Sequence, residues 1–237
     1  MDMFPVLILA GGLATRLRPL TETIPKALIE VAGRPFIEHQ LDYLSAQGIK
    51  KVVLAVGYLA ELIQDCVGDG SRFGLQVDFI EDGPILLGTG GAVKRALPLL
   101  GDPFFVQYGD SYLPINYLEV QAAFITSQKP ALMTVLKNNN QWDKSNVIYS
   151  GGALIEYNKH EIKPQMNYID YGLGILQKAV FRDYSSNQVF DLAAVYNGLS
   201  GQNQLAGFEV FERFYEIGSL AGIEQTDAYL AKLIVKE

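Results

Sequence analysis

The chain has very little of what several common function classes need. Among its 237 residues there is one cysteine, Cys66. An internal disulfide is therefore excluded, and a reducing compartment is the natural setting. The neighbours of Cys66 mark it as a core residue rather than a nucleophile. The two histidines, His39 and His160, are too few and too far apart for a histidine metal cage. No apolar stretch reaches membrane-spanning length. The N-terminus has no basic region before its short apolar run, which argues against a signal peptide. A cytoplasmic protein with no membrane partner is expected. Positive charge is also short, with a formal net charge of −7. That speaks against a nucleic-acid partner, which usually meets a basic stripe. It does not exclude a nucleotide, because a local basic loop can hold phosphates against an acidic background.

What is present is a globular composition, with 49% apolar and 19% charged residues. There is no internal repeat and no low-complexity linker. The length allows one large or two small domains with a sizeable core.

The most informative stretch is residues 7–28, LILAGGLATRLRPLTETIPKAL. A buried strand, Val6 to Leu9, breaks into Ala10-Gly11-Gly12. The following loop carries Thr15, Arg16, Arg18 and Lys26. Glycine lets backbone N–H groups approach a ligand closely, and successive N–H groups make an anion-holding concavity. Arginine adds a planar fork and lysine a point charge. Together they suggest a grip on a polyphosphate. The spacing fits neither a dinucleotide-binding G-x-G-x-x-G nor a P-loop. Pro19 and Pro25 argue against a helix directly after the glycines.

Further along, the pattern predicts a helix from Pro35 ended by Gly48, with Phe36, Ile37, Leu41, Tyr43 and Leu44 on its apolar face. Strands are expected at Lys51–Val56, Leu75–Ile80, Pro103–Tyr108 and Ala131–Leu136. They alternate with helices at Tyr58–Val67, Gly90–Leu97 and Asn116–Ser127. This alternation predicts a Rossmann-like α/β fold, a mixed, mainly parallel sheet with helices on both faces. Ligands of such sheets sit at the carboxyl ends of strands, so Gly11-Gly12 and Gly109-Asp110 can share one crevice. After residue 138 the character changes. Asn146–Ser150 and Ala153–Tyr157 flank a hairpin signal at Ser150-Gly151-Gly152. A strand at Ile169–Leu176, a helix at Val189–Leu199, a strand at Leu205–Phe211 and a helix at Thr226–Val235 complete the chain. A single domain is expected over 1–237, with a nucleotide-binding half (1–137) and a sugar-facing half (138–237).

GGLATRLRPLT with the trailing PKAL resembles the signature of the sugar-1-phosphate nucleotidyltransferases, G-G-x-x-T-R-L-x-P-L-T followed by P-K. That family includes glucose-1-phosphate thymidylyltransferases, mannose- and heptose-1-phosphate guanylyltransferases and N-acetylmuramate-1-phosphate uridylyltransferases. Many members have Gly where this chain has Ala14. The resemblance reaches to about residue 230 and lacks the C-terminal left-handed β-helix of some relatives. It implies a nucleotide site made of Leu9, Ala10, Gly11, Gly12, Thr15, Arg16 and Lys26. To these it adds Glu81 and, from Leu87-Gly88-Thr89-Gly90-Gly91-Ala92, Gly88 and Thr89. Thr89 is also the N-cap candidate of the helix that follows. The L-G-T-G-G-A form is closer to guanylyl- than to thymidylyltransferases.

The resemblance also implies Mg²⁺. Asp110 falls on the family's Gly-Asp metal position, and one or two carboxylates with substrate phosphates suit that ion. Glu216, in Phe214-Tyr215-Glu216-Ile217-Gly218-Ser219, stands where the family's W-x-D-x-G-T segment has its second, shorter acid. Lys159 falls on the lysine of an E-K-P segment that contacts the sugar phosphate, with Asn158 and His160 replacing its neighbours. Asn146, Asp170 and Gly172 complete the implied sugar-phosphate set, and Asp170 with Asn158 suggests an unusual sugar. Arg16, Lys26 and Asp110 are the implied catalytic residues, acting on a nucleoside triphosphate (GTP or UTP) and a sugar 1-phosphate.

Three rival readings remain at this point. A cytidylyltransferase for a non-sugar phosphate such as phosphocholine would want an aromatic cage, for which Tyr108, Tyr112, Tyr168 and Tyr171 are candidates. A nucleotide-sugar-sensing regulatory protein with a dead site is opposed by intact Arg16, Lys26 and Asp110. A glycosyltransferase would want Asp-x-Asp, which Asp110-Ser111-Tyr112 does not supply. Base, sugar and oligomeric state, monomer or homodimer, are not fixed by the sequence.

Overall fold

The computed structural model describes residues 2–83 and 85–234. In chain order the strands and helices are β1 (Val6–Leu9), β2 (Glu30–Val31), β3 (Arg34–Pro35), α1 (Phe36–Ala46), β4 (Lys51–Val56), α2 (Ala60–Val67), β5 (Gln76–Glu81) and α3 (Gly88–Ala96). They continue with β6 (Phe104–Tyr108), β7 (Ser111–Tyr112), α4 (Tyr117–Ser127), β8 (Ala131–Lys137), β9 (Val147–Ser150), β10 (Ala153–Tyr157), β11 (Tyr168–Leu176), α5 (Leu192–Gly201), β12 (Leu205–Val210), β13 (Tyr215–Glu216) and α6 (Leu220–Ile234).

One mixed sheet runs β10-β9-β11-β6-β1-β4-β5, and β8 bridges β11 to β12. Strands β6, β1, β4 and β5 are mutually parallel. The chain leaves β1 towards β4 and β5, then returns to place β6 on the other side of β1. This reversal opens a crevice between the carboxyl ends of β1 and β6. The antiparallel strand β11 closes β6 from the far side, so strands from both halves of the chain share one sheet.

The hydrophobic run of β1 is continuous because both of its faces are covered. Val6 and Ile8 point into a core formed with Ile37, Leu41 and Leu44 of α1 and Ile63 of α2. Leu7 points the other way, towards Val93 and Ala96 of α3 and Val195 and Tyr196 of α5. Cys66 packs against the first of these cores, and burial raises its thiol pKa. A third, smaller core joins Leu17, Val31, Phe36, Tyr112, Ile217 and Leu230. The hairpin at Gly151-Gly152 forms as expected, with both glycines at positive φ and Ser150 paired with Ala153. Asn116 caps α4, accepting from Leu118 N at 3.0 Å and Glu119 N at 3.3 Å.

Four helix starts differ from the sequence expectation by two residues or more. Helix α2 begins at Ala60 rather than Tyr58, because Leu59 sits in the left-handed region (φ 57°) and the Tyr58 hydroxyl bonds Glu22 O at 2.7 Å. Helix α3 begins at Gly88, and its N-cap is Leu87, not Thr89. Helix α5 begins at Leu192 rather than Val189, since Asp191 caps it through Ala193 N at 3.0 Å. Helix α6 begins at Leu220 rather than Thr226, where Ser219 Oγ accepts from Gly222 N at 3.0 Å. The expected end of α6 at Val235 lies outside the described residues. Among the described residues no helix is long and apolar enough to cross a membrane.

Candidate active site

The site forms where β1 and β6 part. Gly109 follows β6 and crosses the end of β1 closely, its N–H donating to Leu9 O at 2.9 Å. A Cβ on Gly109 would stand 2.8 Å from that oxygen and 3.0 Å from Ala10. Glycine is therefore required for the strand ends to meet and for Asp110 to turn into the crevice. From behind, the buried amide of Gln40 on α1 holds this turn, donating to Ser111 O at 2.8 Å. Its own Oε1 has no hydrogen-bond partner among the described residues. The sequence signal for Gln40 was weak, because one polar residue within an amphipathic helix does not show which way it faces.

The loop from Ala10 to Leu28 is irregular, with three single-turn helices at Thr15–Leu17, Leu20–Glu22 and Lys26–Leu28. Ala14 adopts φ 47°, which accounts for the glycine common at this place in the resembling signature. The buried Thr21 hydroxyl locks the turn by donating to Ala14 O at 2.8 Å. Buried Leu17 and Ala27 anchor the loop to the core. Thr15, Arg16 and Arg18 stay exposed, and neither arginine has a side-chain partner among the described residues. Lys26 turns inward, and its Nζ lies 3.0 Å from Asp110 Oδ2. The loop thus presents a paired lysine at its base and free guanidinium groups at its rim.

Two clefts meet at Tyr108. One, of about 110 Å³, is lined by Leu9, Ala10, Gly12, Lys26 and Asp110. The other, of about 200 Å³ and largely apolar, is lined by Leu9, Gly11, Gly12, Asp82, Leu86, Gly88 and Thr89. Glu81 is not among its walls. Its carboxylate accepts from Gln64 Nε2 on α2 at 3.1 Å, and the next residue, Asp82, takes the place in the cleft instead. Burial raises the Asp82 pKa, while Arg95 opposes the rise. Thr89, expected as a helix cap, spends its hydroxyl elsewhere. It donates to Asp191 Oδ1 at 2.7 Å and accepts from Leu192 N at 2.9 Å.

A third recess beyond Tyr108 contains Asp170, Gly172 and Tyr196. Lys159 lies 3.6 Å from Asp191 Oδ2. Asn146 and Asn158 spend their side-chain oxygens on backbone N–H groups. Asn146 Oδ1 accepts from Asp170 N at 2.9 Å, and Asn158 Oδ1 accepts from His160 N at 3.0 Å and Glu161 N at 2.9 Å. They shape the segments that carry Asp170 and Lys159 rather than lining the recess.

Glu216 reaches Asp110 through the backbone. Strand β13 pairs with β7 so that Glu216 stands opposite Ser111, and Ile217 N donates to Asp110 O at 3.0 Å. The Glu216 carboxylate accepts from Ser219 Oγ at 2.7 Å and from Gly218 N. A Cβ on Gly218 would stand 2.7 Å from Glu216 Oε2 and 3.5 Å from both Asp110 Oδ2 and Lys26 Nζ. The two carboxylate oxygens therefore lie no farther apart than these two spans together, about 6 Å. Among the described residues no group of three or more acidic, histidine or cysteine side chains gathers to hold a metal. Two neighbouring carboxylates, one of them beside Lys26, fit Mg²⁺, which takes hard oxygen ligands and completes its shell with water and substrate phosphates.

The tyrosines considered as an ammonium cage do not converge. Tyr112 packs with Tyr43 and Tyr229, Tyr171 with Phe214, and Tyr168 with Tyr149. Tyr108 alone faces the clefts. The sequence placed Tyr108 only as the end of a strand and as a cage candidate, and Asp191 only within a helix.

Comparison with known proteins gives a consistent picture. The family model for nucleotidyl transferases matches residues 5–146. N-acetylmuramate alpha-1-phosphate uridylyltransferase of Neisseria meningitidis is 31% identical over 94% of this chain and 96% of its own length. D-glycero-alpha-D-manno-heptose 1-phosphate guanylyltransferase of Campylobacter jejuni is 31% identical over 78% of this chain and 80% of its own. The crystal structure of HddC from Yersinia pseudotuberculosis complexed with GMP-PN superposes with a TM-score of 0.77 and 27% identity, over 96% of this chain and all of that one. With the strand-end crevice, the arginine loop and these relatives in agreement, the chain belongs to the nucleotidyl transferase family.

Proposed function

We propose that the protein transfers a nucleoside monophosphate from a nucleoside triphosphate to a sugar 1-phosphate, giving a nucleoside-diphosphate sugar and pyrophosphate. The observation that carries this reading is the Lys26–Asp110 pair, 3.0 Å apart at the mouth of the β1–β6 crevice, with the exposed Arg16 on the same loop as Lys26. The uridylyl- and guanylyltransferase relatives support UTP or GTP as the donor and a sugar 1-phosphate as the acceptor.

In this reading an oxygen of the sugar 1-phosphate attacks the α-phosphorus in line. The bond from that phosphorus to the bridging oxygen breaks, and its electron pair leaves with pyrophosphate. No covalent nucleophile is needed, so catalysis is positioning and charge stabilisation. Arg16 stabilises charge on the departing pyrophosphate from the rim of the loop. Lys26 holds phosphate oxygens near the reacting centre. Gly11 and Gly12 admit the triphosphate close to the backbone, and the apolar cleft by Leu86, Gly88 and Ala92 takes the base. Lys159 aims the incoming phosphate, and Asp170 and Gly172 face its sugar. Asp110, with Glu216 beside it, would hold Mg²⁺, which when bound neutralises triphosphate charge.

The test is pyrophosphate release by purified protein across UTP, GTP, CTP, ATP and dTTP against a panel of sugar 1-phosphates. Release is expected only when both substrates and Mg²⁺ are present. Silence across the panel by a folded protein would leave the sensing role as the better reading, and turnover of phosphocholine with CTP would favour the cytidylyltransferase.

A further inference from the structure

Residues 87–91 supply Gly88 and Thr89 to the apolar cleft of about 200 Å³. They are held by a segment far along the chain, with Asp191 102 positions beyond Thr89. Phe190 N donates to Leu87 O at 3.0 Å, and Phe190 O accepts from Gly90 N at 3.0 Å and from Gly91 N at 3.4 Å. Thr89 Oγ1 donates to Asp191 Oδ1 at 2.7 Å and accepts from Leu192 N at 2.9 Å. Each of residues 190–192 is thus bonded to the loop. The loop is also cut to fit them. A Cβ on Gly88 would stand 2.6 Å from Phe190 O, and one on Gly90 would overlap the Phe190 ring. Tyr184 backs that ring, stacked on it at 4.2 Å. Asp191 is the hub of the contact. Its Oδ1 also caps α5, accepting from Ala193 N at 3.0 Å, and its Oδ2 lies 3.6 Å from Lys159 Nζ. Burial opposes its ionisation, but the bonds from Ala193 N and Thr89 and the charge of Lys159 hold the carboxyl below the ordinary carboxylate range.

We propose, on the reading of function given above, that Asp191 is a positioning residue for the nucleotide. By fixing Thr89 it holds residues 87–91 as a preformed wall of the apolar cleft, so a segment outside the cleft sets nucleotide affinity. Asp191 is not among the walls of either cleft at Tyr108, so its action passes through Thr89. What it supplies is an acceptor rather than a charge. Thr89 Oγ1 and Ala193 N are neutral donors to one oxygen, and an amide oxygen can serve both. The pair with Lys159 is largely solvated, with side chains 54% and 44% exposed, and such pairs contribute little. A glycine-rich loop without its tether samples many conformations, and a ligand must then select the competent one. Apparent affinity falls by the fraction of molecules in that state.

The experiment measures calorimetric Kd values for UTP and GTP without a second substrate, in wild type, Asp191→Ala, Asp191→Asn, Asp191→Ser and Thr89→Val. Asp191→Ala and Thr89→Val should each raise the Kd of the better-bound triphosphate about tenfold. The double variant should be no worse than either, because both remove one contact. Asp191→Asn should bring the Kd back to within about threefold of wild type, since its oxygen accepts from the same two donors. Asp191→Ser keeps a cap for Ala193 N but is one bond shorter towards Thr89. It should hold the melting temperature near wild type while its Kd follows Asp191→Ala; a mere helix cap would recover both together. An unchanged Kd in Asp191→Ala, additive losses in the double variant, or a tenfold rise in Asp191→Asn would overturn the proposal, the last by showing that the charge acts. Amide exchange at Gly90 and Gly91 gives a second readout. Asp191→Ala should speed it about tenfold, and unchanged exchange would overturn the tether. Triphosphate binding without pyrophosphate release would defeat the function reading alone, whereas a wild type that binds neither triphosphate would overturn both.

Discussion

Asp170 should make the folded protein less stable at neutral pH than it would be with a neutral side chain, and the sign can be worked out. Desolvation lifts its pKa from an ordinary 3.8 to about 6, against the pull of the Gly172 N–H and Lys159. Between those values the native state binds more protons at this position than the unfolded chain does. Stability therefore falls as pH rises through this window, and the penalty is complete above about pH 6. A displacement of this size corresponds to about 3 kcal/mol. One carboxylate oxygen is open to the recess, so water reduces the penalty to about 1 kcal/mol. Asp170→Asn keeps an oxygen for Gly172 N and removes the charge. It should raise the melting temperature by about 2–4 °C at pH 7.5 and leave it unchanged at pH 4, where wild-type Asp170 is protonated in the native state. Paired calorimetric melts at the two pH values measure this. If Asp170→Asn destabilised the protein equally at both, the carboxylate would be a structural acceptor rather than a charge held out of water, and the reasoning would fail.

Other changes test other parts of the site. Arg16→Ala should lower kcat/KM about a hundredfold or more, whereas Arg18→Ala should cost far less; equal losses in steady-state assays would show that the leaving-group role is misassigned. Glu216→Gln should cut activity more than tenfold and shift the Mg²⁺ requirement, while Glu216→Asp should retain partial activity. Titrating activity against Mg²⁺ decides, and a wild-type profile for Glu216→Gln would leave Asp110 as the sole protein ligand. Gly109→Ala places a methyl 2.8 Å from Leu9 O, so urea midpoints should fall by an amount equivalent to about 1–3 kcal/mol; a midpoint matching wild type would mean the strand ends can part. Gln40→Met leaves the volume of α1 nearly intact but frees the turn that carries Asp110, so kcat should drop about tenfold with the melting temperature little changed. A loss of stability without loss of kcat would make Gln40 purely structural.

The parts of this site that are legible in the sequence are those where a local signal and a chemical signal coincide. Lys26, Asp110 and Gly11-Gly12 each lie just beyond a strand or within a proline-fixed loop, so their exposure follows from position in the chain. Glu81 shows where that logic stops. Strand alternation decides which of two adjacent acids faces the cleft, and the last residue of β5 turns outward to Gln64 while Asp82 turns in. Thr89 fails for another reason. Its partner Asp191 is 102 positions away, and no local propensity distinguishes a helix cap from a long-range hydrogen bond. The early start of α6 has the same origin, because the turn before it is organised by Glu216 and Ser219, residues that serve the site as well.

The small third core explains why residues two hundred positions apart belong to one site. Leu17 follows Arg16 directly, and Ile217 follows Glu216 directly; both are buried together with Phe36, Tyr112 and Leu230. The loop carrying Arg16 and the strand carrying Glu216 are therefore anchored by the same apolar contacts. Thr226 adds a buried hydroxyl that donates to Glu216 O at 2.9 Å, so α6 fixes that strand from behind. Burying a leucine or isoleucine in such a cluster stabilises by about 1.5–3 kcal/mol, enough to hold an irregular loop that has little regular backbone hydrogen bonding of its own. The charged groups can then stay unpaired at the rim, as Arg16 does, because the ordering of their backbone is supplied by the residues beside them.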